Sequence, residues 1–273
     1  MIDEYKRKNW IFSMFKKILP LLILCFVVPA IGATIENFDD QNAQGFFEND
    51  VYASLFGGGP YATFVFNELV LGSGNFFYRI DADSPDSFPS TASAGVDGFI
   101  HSDYTVTVNV TQWNADTAFV IGGFINFDSG YVFACVSNAC QLVRLDGFVE
   151  NQLAVIPGLS LNPSHVYRME ISRGGNGLDE HRGALYNLTT GGNLIAELQA
   201  TDSTYAANTA NPVMAVQALS GPADSPYVVA YFDNFIAYDS DNAINVPIAG
   251  WLAQALLALA LCGSVAVWRH RRN

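Results

Sequence analysis

From Thr34 to Asn245 the apolar residues recur at every second position or in short runs, and nowhere at the three-and-four spacing of an amphipathic helix. Tyr104–Thr111 is the clearest case, with Val106, Val108 and Val110 alternating with Thr105, Thr107, Asn109 and Thr111. A strand turns successive side chains to opposite faces, so this segment is predicted to bury its valines and show its threonines to solvent. Val166–Arg173 repeats the pattern, with Tyr167, Met169 and Ile171 on one face and Arg168, Glu170 and Ser172 on the other. One apolar face per strand demands a second sheet to cover it.

The remaining strands are read from β-branched and aromatic runs punctuated by Gly, Asn, Asp, Ser and Pro. Ala62–Leu71 and Phe76–Ile80 flank a Gly72-Ser73-Gly74 turn. Ala118–Phe127, Tyr131–Val136 and Ala139–Leu145 form a three-strand meander, and Leu185–Thr189 with Leu194–Ala200 a hairpin over Thr190–Asn193. Val213–Leu219 and Tyr227–Tyr238 close the domain, while Ser84–Gly98 reads as a loop. About a dozen strands without βαβ spacing predict an all-β antiparallel β-sandwich of jelly-roll type.

Both ends of the chain differ from this middle. Lys16 and Lys17 precede the apolar run Ile18–Ile31, which ends in Gly32-Ala33, the layout of an export signal cleaved after Ala33. Met14 would open a complete signal by itself, so the start codon stays open between Met1 and Met14. At the other end Ile248–Trp268 is an uncharged stretch of 21 residues followed by Arg269, His270, Arg271 and Arg272. That length spans a bilayer as a helix, and the basic cluster places the tail on the cytoplasmic side. The expected organisation is a signal peptide over 1–33, a β-sandwich ectodomain over 34–240 and a linker with a sorting motif over 241–247. A transmembrane helix over 248–268 and a basic tail over 269–273 complete it.

Charge and cysteines agree with export. Apart from Asp3 and Glu4, all 26 acidic residues lie in the middle, against five arginines (Arg79, Arg144, Arg168, Arg173 and Arg182) and no lysine. So acidic a surface repels nucleic acid and anionic lipid headgroups and suits neutral glycans, divalent cations or a cationic partner; solubility alone would also account for it. Cys135 and Cys140 flank Val136-Ser137-Asn138-Ala139. A two-residue turn at Ser137-Asn138 makes the cysteines a non-hydrogen-bonded pair with Cα atoms about 4.5 Å apart, close enough for a disulfide in an oxidising compartment.

The tail resembles the C-terminal sorting signals of the PEP-CTERM type, through Val246-Pro247, the span with Trp251 near its start, and Arg269, Arg271 and Arg272. The Glu that usually follows the Pro is absent. The resemblance implies an exported bacterial protein whose tail is read by an exosortase-type enzyme; a plain C-terminal anchor is the alternative. The segments YTVTVNVTQWNADTAFVIGGFINFDSGYVFACV, VYRMEISRGG and VVAYFDNFIAYD are similar to the concanavalin A-like lectin and glucanase superfamily. That likeness implies a jelly roll and, often, a structural Ca²⁺ between the terminal strands.

Candidate sites follow. Glu36, Asp39 and Asp40 at the first strand and Asp233 with Asn234 in the last would gather hard oxygens for Ca²⁺ if those strands pair; otherwise they cap the sheet edge. For a polysaccharide ligand, Trp113 is the candidate platform, with Tyr131, Arg144 and Arg168 as neighbours, although a lone Trp in a sandwich is as readily core. No strand shows the alternating acids of the superfamily's hydrolases, Asp179-Glu180 beside His181 lie in a Gly-rich turn, and no Zn-ligand spacing occurs. The expectation is a non-enzymatic polysaccharide-binding surface protein, with a structural envelope protein and a glycoside hydrolase as alternatives.

Overall fold

The computed structural model describes residues 34–43, 45–83, 90–96, 102–126, 128–174, 179–218 and 227–239. The predicted signal peptide, linker, membrane span and basic tail lie outside these residues, as do the sorting residues Val246, Pro247, Trp251, Arg269, Arg271 and Arg272.

The described residues form an antiparallel two-sheet sandwich. In chain order the strands are β1 (Thr34–Glu36), β2 (Phe46–Asp50), β3 (Ala62–Glu68), β4 (Phe76–Ala82), β5 (Thr91–Val96), β6 (Tyr104–Thr111), β7 (Thr117–Asn126) and β8 (Ser129–Val136). They continue with β9 (Ala139–Asp146), β10 (Val149–Pro157), β11 (Tyr167–Arg173), β12 (Glu180–Asn187), β13 (Asn193–Thr201), β14 (Asn211–Ala218) and β15 (Val228–Tyr238). One sheet has eight strands in the order β13-β12-β11-β6-β15-β4-β3, with β1 beside β15; the other has seven, β10-β9-β8-β7-β14-β5-β2.

The predicted alternation is what builds the core. Val106, Val108 and Val110 point inward with Tyr167, Met169 and Ile171 opposite them in register, and all are buried. They meet Phe119, Ile121, Phe133, Leu142, Met214 and Val216 from the seven-stranded sheet in one cluster. Aromatic contacts close it at one end, where Phe38 stacks on Tyr78 with ring centroids 5.0 Å apart. Elsewhere Trp113 lies 4.6 Å from Phe119 and 5.6 Å from Tyr167.

The meander is β7-β8-β9, extended by β10. Val136 pairs with Ala139 and Cys135 with Cys140 across the Ser137-Asn138 turn, and the two cysteines are disulfide-bonded with Cα atoms 4.1 Å apart. Both sulfurs face the core. The first and last strands pair as expected, Glu36 opposite Phe235. β15 shares its edge between β4, over Val228–Phe232, and β1, over Phe235–Ala237. The irregularity between these partners is at Asp233 and Asn234, with Asn234 at φ 51°, a left-handed conformation that Asn tolerates better than most residues.

Several features differ from expectation. Thr105, Thr107 and Thr111, expected to face solvent, are buried. Within the stretch read as a loop, Thr91–Val96 is a strand between β2 and β14. β10 was not anticipated, and β12 begins at Glu180 rather than Leu185. A six-residue helix, α1 (Val51–Phe56), interrupts the β pattern; the Asp50 carboxylate caps it at Ala53 N and also holds Tyr61 N and Ala62 N.

Candidate functional site

The two sheets carry opposite chemistry on their outer faces. On the eight-stranded sheet the face is charged and polar. Arg182 bonds Glu197 at 2.6 Å, pairs with Glu170 and donates to Tyr186 Oη, while Arg168 lies 4.7 Å above the Tyr186 ring. Burial lowers the Arg182 pKa, but Glu197, Tyr186 and Glu170 outweigh it and hold the guanidinium above its usual range.

On the seven-stranded sheet the outer face is apolar. Ala118 and Val120 of β7, Val132 and Ala134 of β8, Val143 of β9 and Ala215 of β14 form a second buried cluster, separate from the core, with Phe124, Val136 and Leu145 against it. These are the residues whose neighbours in sequence fill the core, so β7, β8 and β9 are apolar on both sides. An antiparallel sheet with a free face ordinarily makes that face polar; a continuous apolar one marks a binding surface.

The sheet curves over this face. A Cβ on Gly122 would lie 2.5 Å from Tyr131 O, and one on Gly95 2.4 Å from Pro212 O, so at both points neighbouring backbone approaches closer than any side chain permits. Glu150 on β10 and Gln217 on β14, with three strands between them, come within 3.4 Å of each other. Between lies a trough of about 640 Å³, within the size range of small-ligand sites. Aliphatic side chains make its floor. Phe47, Phe124 and Phe148 line it, and Asn49, Asn126, Gln141, Asn211 and Gln217 supply amides. Glu150 is the one ionisable side chain among the described residues lining it, and none of those residues carries a positive charge to hold an anion.

Phe148 sits in the β9–β10 turn at φ 66°, following Gly147 at φ 59°. Two consecutive positive φ values fit a two-residue hairpin turn of the right twist, but a bulky aromatic at the second position is strained. The residue is 42 % exposed and lines the trough. Strain held by a fold at an exposed lining residue is the kind found at ligand sites.

Behind the rim at Phe148 is a polar network. Arg144 bonds Asp146 at 2.9 Å and pairs with Asp202; Tyr131 Oη donates to Asp202 Oδ1 at 2.7 Å; Tyr205 Oη donates to Asp146 at 2.5 Å. Burial pushes the Asp202 pKa up, but bonds from Tyr131, Thr204 and Arg144 prevail and lower it to about 2. Burial and the Asp202 bond raise the Tyr131 phenol well above its ordinary value. His181 stacks on Tyr131 at 3.8 Å, and burial lowers its pKa. Fully buried Arg173 donates to the carbonyls of Ser102, Tyr205 and Asn208, tying the loop after β13 to the start of β6.

The sequence-based binding set is therefore dispersed. Trp113, 4 % exposed, belongs to the core and offers no platform. Tyr131 is fully buried, and Arg144 is bound to carboxylates beside it. Arg168 is on the outer face of the opposite sheet. Of the metal candidates, Glu36 accepts from Phe38 N, Asp39 from Phe76 N and Asp40 from Asn42 N. Asp233 accepts twice from Asn234; burial raises its pKa to about 6, with Asp39 adding to the shift. No group of three or more His, Cys, Asp or Glu among the described residues is placed to hold a metal ion.

No protein-family model and no curated protein matches the chain. Solved structures resemble it only distantly. Cellulose induced protein, Cip1, is 12 % identical with a TM-score of 0.47, covering 74 % of this chain and 96 % of its own. A protein of unknown function from Shewanella oneidensis MR-1 is 12 % identical at 0.46, with 76 % and 87 % covered. Lectin UEA-II, complexed with galactose, is 10 % identical at 0.41, with 71 % and 97 % covered. Nothing about a ligand follows from likeness this distant.

Proposed function

We propose that this is an exported, surface- or matrix-associated protein that binds neutral polysaccharide, without chemistry, in the trough of the seven-stranded sheet. The observation that carries it is the trough lining: aliphatic floor, phenylalanine rings and five amide side chains, with Glu150 as its sole charge among the described residues. Sugar rings present C–H faces to apolar groups and hydroxyls to amides, which both donate and accept. The lack of a cation in the lining and the acidic chain disfavour anionic ligands. Glycoside hydrolysis calls for two carboxylates across one bond, and the lining offers Glu150 alone.

Export is supported by the signal-like amino end, the PEP-CTERM-like tail and the Cys135–Cys140 disulfide. We assign the jelly roll of lectin-like domains to the sandwich, and processing of the tail to an exosortase-type enzyme. The test is a neutral-glycan microarray probed with the purified full chain in detergent, beside its Gln141→Ala and Phe124→Ala variants. Saturable binding that both variants weaken is expected. No binding to any neutral glycan overturns the ligand class and leaves a structural envelope protein. Intact protein in the cytosol with both thiols free overturns export.

A further inference from the structure

Resting on the glycan-binding assignment, we infer that the ligand is a glycan whose hydroxyls carry small uncharged apolar substituents, O-acetyl or O-methyl groups, rather than a fully hydroxylated one. The trough floor decides this. Sugar rings with free hydroxyls are commonly held flat against aromatic faces, which contact the ring C–H groups while the hydroxyls reach outward. Here the phenylalanines belong to the edges: Phe148 in a turn, Phe47 on the edge strand β2, and Phe124 near the end of β7. The floor is instead a row of branched aliphatics, Val213, Val132 and Val143, running across the strands with Gly122 between the first two. Val132 and Val143 are almost wholly covered by their neighbours. What remains accessible of the row is branched methyl groups rather than a flat ring face, which matches a methyl-sized group better than a pyranose ring.

A hydroxyl pressed against that row loses its water and gains no partner, since no polar side chain rises from it. A methyl or acetyl methyl in the same place removes apolar surface from water and loses nothing. The amides surrounding the floor complete the fit: an acetyl carbonyl needs a donor, and Gln141 and Asn126 each carry an NH₂ group. Charged substituents are disfavoured, because a sulfate or carboxylate would find Glu150 and no cation.

The experiment uses neutral β-glucan, xylan, mannan and galactan, each in unmodified and partly O-acetylated form, with affinities to the full-length chain in detergent measured by affinity electrophoresis. For the glycans that bind, the acetylated member is expected to bind at least tenfold tighter. In Val132→Thr, which keeps the shape and adds a hydroxyl to the floor, that preference should shrink severalfold while the thermal midpoint confirms folding. Equal or weaker binding of every acetylated form overturns the inference and leaves the glycan assignment standing. Absence of binding by every form, modified or not, overturns both.

Discussion

The outer faces of the two sheets, built from the same kind of strand, part company in what lies over them. The eight-stranded sheet turns out Arg168, Glu170, Arg182 and Glu197, and Arg182 pairs with both carboxylates. The seven-stranded sheet turns out Val120, Val132, Ala134, Val143 and Ala215, which satisfy nothing and enclose a cavity of about 640 Å³. The first face is that of any solvated sandwich. The second costs solubility and is retained together with close-approach glycines and a strained phenylalanine. The proposed binding site therefore lies on the face where the rule of polar exteriors is broken.

Filling the cavity breaks the comparison most directly. Ala134 stands on the floor with open trough above it. Ala134→Phe should lower glycan affinity more than about 100-fold, equivalent to about 2.7 kcal/mol, with a change in stability under about 1.5 kcal/mol because the ring extends into the cavity. Arg168→Phe on the opposite sheet should leave affinity unchanged. Titration of both variants against the same polysaccharide checks this, and equal losses would mean that the trough is not the site.

The curvature can be attacked next. In Gly122→Ala the new methyl would stand 2.5 Å from the Tyr131 carbonyl oxygen, a backbone atom that cannot swing aside. Strands β7 and β8 must move apart, at a cost of about 2–3 kcal/mol, read as a lower thermal midpoint. A fall in affinity at temperatures where the variant is still folded would tie concavity to binding.

How much of this the sequence disclosed depends on period. Tyr104–Thr111 and Val166–Arg173 display their inward faces because only one face is apolar, and the structure buries the residues so assigned; Thr105, Thr107 and Thr111 are buried as well, which the alternation does not foretell. The Cys135–Cys140 pairing followed from a two-residue turn. β10 was missed for a physical reason: a bulge between Gln152 and Ala154 breaks the two-residue period of Val149–Pro157. β5, TASAGV, is made of residues too small to announce a strand. The trough is not legible in the sequence, since no residue in it is unusual; it exists only when alternate positions of several strands are laid side by side. One signal was available. Ala118–Ile125 is apolar at both parities, as expected of a strand covered on both faces. A solitary large aromatic such as Trp113 suggests a platform, whereas here it packs between Phe119 and Tyr167 in the core.

A smaller effect separates binding from stability at the rim. Phe148→Gly removes a ring from the trough and relieves a positive φ that only Gly adopts freely. Affinity should fall about tenfold, while the fold gains about 0.5–1 kcal/mol. Denaturant unfolding and glycan titration on one preparation measure the two together. A loss of both would assign Phe148 to structure alone.

The mildest test concerns the network that holds this rim from behind. The folded carboxyl of Asp202 titrates near 2, below its ordinary 3.8, so folding is favoured by its ionised form. That contribution is complete above the unfolded value and fades as the pH falls from about 4 towards 2. The full shift would correspond to about 2.4 kcal/mol, and screening by the solvent that still reaches this partly buried side chain reduces it to about 1 kcal/mol. Asp202→Asn should thus cost about 1 kcal/mol at pH 7, with the difference from the native chain closing below pH 4. Because Asp202 ties Arg144 and Tyr131 to the loop after β13 without lining the trough, glycan affinity at pH 7 should change less than about twofold. A stability gap that persists to pH 2 would show that the loss comes from packing; a large drop in affinity would extend the binding site through the rim into the network behind it.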